Sequence, residues 1–141
     1  MEMKTARWSI IALVLASLIH PCAALSNVDV TGTWESRYNF GLIEEVMTAN
    51  ILQVGSEIIG SYSVEILPSG DEYSGIIFGT VDGDEIKAFY LAIKGADGSN
   101  PLTTISFTDG VAIKDDKIRG EFYYRDSDLL ELSGAYEADR V

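Results

Sequence analysis

From residue 29 onward apolar and polar side chains alternate with a period of two, the pattern of strands that bury one face and wet the other. The alternation is cleanest over residues 29–40. There Val30, Gly32, Trp34, Ser36, Tyr38 and Phe40 share one face, and Asp29, Thr31, Thr33, Glu35, Arg37 and Asn39 share the other. The same period predicts a second strand over 42–54, with Met47, Ala49, Ile51 and Gln53 in phase, and a third over 58–66, with Ile58, Gly60, Tyr62, Val64 and Ile66 inward. Residues 73–81 read as a fourth strand whose inward face the pattern does not settle. Segments 85–94, 102–108, 117–125 and 129–138 complete eight. Turn-forming residues separate them at Gly55-Ser56-Glu57, Pro68-Ser69-Gly70-Asp71, Asp82-Gly83 and Asp126-Ser127-Asp128, with a longer loop over 95–101. Asp109-Gly110 reads as a further tight turn or a bulge. The one stretch ambiguous with helix is 42–47. Eight antiparallel strands with no helix to cover a face predict an all-β, up-and-down, eight-stranded barrel, because closure removes exposed edges and buries one face of every strand. A two-sheet sandwich is the alternative.

Within this alternation one pentapeptide recurs four times: apolar, any, Gly, any, aromatic. It stands at residues 30–34, 58–62, 118–122 and 132–136, around Gly32, Gly60, Gly120 and Gly134 and ending in Trp34, Tyr62, Phe122 and Tyr136. The period of two puts the apolar residue, the glycine and the aromatic on the same, buried face. Glycine inside a strand is costly unless the backbone bends or something packs closely against it, and a sheet curling into a barrel supplies both reasons. The spacing assigns the copies to strands one, three, seven and eight, which gathers Trp34, Phe122 and Tyr136 on one interior wall if strand eight meets strand one.

The N-terminal 26 residues follow a different rule. Lys4 and Arg7 precede an apolar run over 8–19, which His20 and Pro21 end. This run is too short for a membrane span and is followed by small-residue cleavage sites after Ala24 or Ser26, so it predicts a secretory signal peptide and a single exported domain over 27–141. An acylated Cys22 is the lesser alternative, since the residues before it lack the expected small side chain. Cys22 and His20 are the chain's only Cys and His, so an exported domain has no disulfide, no thiol nucleophile, no Ser-His pair and no imidazole ligand. The chain carries a formal charge of −12, and without Glu2, Lys4 and Arg7 its 22 acidic and 10 basic residues become 21 and 8. Such a field excludes nucleic acid and anionic lipid as natural partners and favours cations, basic proteins and solubility.

Candidate chemistry is thin. Asp82, Asp84 and Glu85 crowd one turn, and Asp126 and Asp128 another, at spacings that calcium could bridge, but Asp and Gly are ordinary turn formers and no metal site or cofactor is expected. In Glu44-Glu45 one side chain must point inward if strand two is already regular there. The expectation is that the strand has only begun and both are wet. The strongest candidates for a function are the rings on the buried face, Trp34, Tyr38, Tyr62, Phe122, Tyr124 and Tyr136, which can line a ligand cavity or fill the barrel.

On Gly32-Thr33-Trp34, the apolar second strand with Met47-Thr48-Ala49-Asn50-Ile51, and Gly60-Ser61-Tyr62, the chain resembles the calycins, the superfamily of lipocalins, fatty-acid-binding proteins and avidins. The resemblance covers about the first third of the exported region and implies a barrel with an apolar cup. In lipocalins an Arg at the end of the last strand packs across the first-strand Trp; Arg140 matches that position, with Arg125 as a second candidate. In avidins Tyr62 would fall on a ligand-contacting position. However, Glu35-Ser36 and Leu42 replace expected polar residues, and the additional tryptophans that hold biotin are missing, which argues against biotin. Two functions follow as expectations. One is a secreted, non-enzymatic protein holding a small apolar or aromatic molecule in a cavity of a few hundred cubic ångströms. The other is an envelope or extracellular assembly protein with a filled barrel, which associates with itself, with basic partners or through cations.

Overall fold

A computed structural model describes residues 27–94, 102–126 and 131–141. The signal-peptide expectation, the 95–101 loop and most of the Asp126-Ser127-Asp128 turn lie outside the described residues. The architecture is an all-β closed antiparallel barrel in which β1 (Gly32–Phe40), β2 (Ile43–Val54), β3 (Glu57–Leu67), β4 (Asp71–Asp82), β5 (Glu85–Lys94), β6 (Leu102–Lys114), β7 (Lys117–Asp126) and β8 (Glu131–Arg140) each pair with the next, and β8 returns to β1. The sandwich is thereby excluded.

Three boundaries differ from expectation, each for a physical reason. Strand β1 begins at Gly32 rather than 29, because Gly32 has φ of 140° and turns the chain out of the ladder, leaving 27–31 to cross the end of the barrel. Asp109-Gly110 is neither turn nor bulge. Strand β6 runs straight through it, Gly110 facing Gly120, and the irregularity comes later, between Ala112 and Lys114. Strand β2 is already regular at Glu45, which pairs with Tyr38 on one side and Ile66 on the other.

The pentapeptides explain much of the interior. Strands β7 and β8 pair so that Phe122 faces Gly134 and Gly120 faces Tyr136, with the Phe122 ring lying against Gly134 and the Tyr136 hydroxyl reaching Gly110 on β6. A Cβ on Gly134 would stand 2.9 Å from the Phe122 ring, so the glycine is needed for that ring to lie flat on the sheet. Tyr62 likewise covers its cross-strand partner Gly75 on β4. The inward face of β4, which the pattern left open, is Tyr73, Gly75, Ile77, Gly79 and Val81. Around these rings a continuous apolar core includes Val30, Val64, Ile77, Val81 and Ile86.

Candidate functional site

The interior has two differently built ends. At the first, β1 and β8 form a short seam, with Trp34 to Ser36 opposite Arg140 to Ala138, whereas β2 and β3 pair along their whole length. The seam is reinforced by side chains. Ser36 Oγ donates to the Glu137 carbonyl at 2.6 Å, and the guanidinium of Arg140 lies 4.6 Å from the Trp34 ring centre. Arg140 also donates to the carbonyls of Thr31, Asp29 and Asp115, the last from Nε at 2.8 Å. Trp34 Nε1 donates to the Val30 carbonyl at 2.9 Å, and Val30 N donates to Gln53 Oε1 at 2.9 Å. The segment before β1 is thus held as a plug, with Val28 N bonded to the Gly83 carbonyl. The Trp-packing position belongs to Arg140. Arg125 instead pairs with Glu131 at 3.4 Å on the outside of the barrel.

About four residues further along β1, some 13 Å at strand rise, the other end carries a charge. Glu45 is only 3 % exposed, so the expectation that both Glu44 and Glu45 are wet is overturned. Its neighbour Glu44 does face solvent and pairs with Arg37 at 3.2 Å. The hydroxyls of Tyr38 and Tyr73 both donate to Glu45 Oε2, each at 3.0 Å, from strands on either side. A buried carboxylate is stable only when hydrogen-bonded or paired, and here two phenols supply the bonds. Burial, with the Tyr73 hydroxyl and the Glu45 carboxylate adding to it, pushes the Tyr38 hydroxyl far above the ordinary tyrosine range. Burial followed by Glu45 does the same to Tyr73. Both remain protonated donors at any physiological pH.

Between the two ends lies a cavity of about 60 Å³. All six sequence-predicted rings reach it: Trp34, Tyr38, Tyr62, Phe122, Tyr124 and Tyr136. Sequence reasoning missed Tyr73, Tyr90 and Glu45, which also line it. Tyr62 touches Tyr73 and Tyr90 edge to face, with centroids 6.4 and 5.4 Å apart, and Tyr38 lies 5.4 Å from Phe122. Of the four motif glycines, Gly134 makes room for the Phe122 ring, Gly60 and Gly120 let the backbones of β2 and β6 approach closely, and Gly32 lies against the Arg140 guanidinium; none of them lines the space. The volume is below the few hundred cubic ångströms expected of a ligand-binding barrel, though several times the ~15 Å³ that one water needs. Among the described residues Glu45 is the only charged side chain on the wall, and no three His, Cys, Asp or Glu residues converge as a metal site.

Fold and site together define a closed eight-stranded antiparallel barrel with a ring-lined interior and one buried carboxylate. No protein-family model matches the chain, and no curated protein matches it either. Among solved structures it is similar to EF1p2_mFAP2b bound to DFHBI, with a TM-score of 0.64 over 79 % of this chain and 94 % of that one, at 11 % identity. A likeness at that identity is one of fold.

Proposed function

We propose that this is a secreted, non-enzymatic binding protein whose barrel holds one small ring-bearing molecule, with a hydrogen-bond donor on that molecule directed at Glu45. The observation that carries the reading is the single carboxylate on an otherwise uncharged, ring-lined wall. In a chain of charge −12, no basic side chain among the described residues enters this wall to neutralise Glu45, so an N–H or ammonium group on a ligand would complement it. The rings would stack on the apolar part, and the flexible Met47 on the wall can repack to widen the space. The DFHBI-bound protein supports the reading to the extent that a chain of similar fold binds a small molecule. An assembly role is the second reading, favoured by how little of the interior is empty.

Calorimetric titration with three probes of one size tests the proposal. Benzylamine is expected to bind, toluene more weakly, and benzoate not at all, because its carboxylate would face Glu45. Failure of all three to bind, or benzoate binding as well as benzylamine, overturns it.

A further inference from the structure

On β7, β8, β1 and β2 the outward side chains include ion pairs, Lys117 with Asp139 at 2.8 Å, Arg119 with Glu137, and Arg37 with Glu44, with Leu52, Val54 and Tyr123 exposed among them. On β4, β5 and β6 two adjacent outward rows carry no charge. Phe78, Phe89 and Phe107 stand side by side in register, with ring centroids 5.5 and 5.0 Å apart, and Ile76, Leu91 and Ile105 form the next row. Ile93 extends the patch along β5. Ile76, Phe78, Phe89, Ile93 and Ile105 are between 38 % and 57 % exposed. The flanking row, Thr80, Lys87, Asp109 and Glu121, is polar.

We propose that this face joins two copies of the chain in a twofold dimer. Size is the first argument. At these exposures, and taking about 200 Å² for a large side chain, the five residues present roughly 500 Å² of apolar surface. That is near the upper limit of patches on monomers, ~300–600 Å². A standard interface buries about 800 Å² per partner, so a contact centred on this patch and completed by its polar rim would be about 60 % apolar, the share found between identical subunits. Charge selects the occupant. A basic partner would seek carboxylates, which these rows lack, and two copies of a chain this acidic repel each other everywhere except across a face without charge. A second copy always presents the matching uncharged face. Ile59 on β3 and Tyr123 on β7 continue the Phe row in register and widen this face beyond its three central strands.

Sedimentation velocity on the purified protein from low to high micromolar concentration tests this inference independently of any ligand. The expected result is a concentration-dependent dimer whose dissociation constant rises at least about a hundredfold in Phe89→Lys and in Ile105→Glu. Both variants should keep the parent circular dichroism spectrum, since both side chains point outward; if either misfolds, Ile93→Lys makes the same test. Arg37→Ala, on the charged half, should leave the dimer unchanged. A monomer at every concentration overturns the proposal, as does a dimer indifferent to these substitutions. A monomer that floats with phosphatidylcholine vesicles, and loses that property in Phe89→Lys, overturns it in favour of a membrane surface.

Discussion

The two ends of the barrel solve opposite electrostatic problems with the same kind of side chain. At the β1–β8 seam a cation, Arg140, lies on the face of an aromatic ring and gives its N–H groups to three backbone carbonyls, so every charge is matched by fixed local dipoles. At the far end an anion, Glu45, is held by the hydroxyl edges of Tyr38 and Tyr73, and no cation among the described residues lines the wall beside it. The first arrangement closes the barrel where its ladder is shortest. The second keeps an incompletely neutralised charge inside, a cost that a stability role does not explain. Stability is therefore expected to concentrate at the seam, and recognition at Glu45.

The largest expected effect is at the seam. Trp34→Ala removes a ring that is only 3 % exposed and with it the support for Arg140 and the plug carbonyl of Val30, and should cost about 3–5 kcal/mol in urea unfolding. Arg140→Ala, which leaves the ring and removes its cover, should cost less, about 1–3 kcal/mol. A Trp34→Ala loss below that of a Tyr73→Phe change at the far end would break the comparison.

How much of this was legible follows from what alternation can and cannot encode. Strands, closure and the ring-bearing face could be read because Trp34, Tyr62, Phe122 and Tyr136 recur in phase with glycines, of which Gly134 leaves room for the Phe122 ring and Gly60 and Gly120 let the neighbouring strands approach closely. The Trp34–Arg140 pairing was accessible only through the resemblance, since 106 positions separate the two residues and no periodicity links them. Glu45 was misplaced because a carboxylate next to a turn is ordinarily wet, and only the ladder to Tyr38 and Ile66 shows that β2 has already started. Tyr73 was lost with the undecided face of β4, where Gly75 and Gly79 mark the inward side but carry no hydropathy signal. The outer apolar rows escaped for a related reason. Strand β4 reads Ile76-Ile77-Phe78 and β5 reads Phe89-Tyr90-Leu91, apolar on both faces, and such runs look like deep burial until the register shows one face turned out.

Alkali should separate the two ends with an intermediate effect. Tyr38, Tyr62, Tyr73, Tyr90 and Tyr136 all have pKa values raised first by burial. A raised folded pKa stabilises fully below the unfolded value, about 10, and the contribution is lost as pH climbs above it, because the unfolded chain ionises and the folded one resists. Stability should hold up to about pH 10 and then fall. Tyrosinate absorbance should rise in a cooperative step with unfolding rather than along a simple titration. Arg140 stays charged through this range, so the far end is the part that alkali attacks. Smooth ionisation of all seven tyrosines with the circular dichroism unchanged would show that these hydroxyls reach solvent, and would remove the distinction.

The smallest stability effect is expected from Glu45→Gln, and it is the most discriminating. The carboxamide keeps an oxygen for the Tyr38 and Tyr73 hydroxyls while deleting the charge, so the unfolding free energy should move by less than about 1 kcal/mol, in either direction, because a lost charge-assisted bond is offset by a lost desolvation penalty. Recognition should change far more: benzylamine affinity is expected to fall at least about tenfold, while toluene binding is unaffected, which removes the preference for an amine without removing the ring site. If Glu45→Gln instead destabilised the fold as much as Trp34→Ala and left the probe order intact, Glu45 would be a structural brace like Arg140. The two ends would then differ only in the sign of the charge they bury.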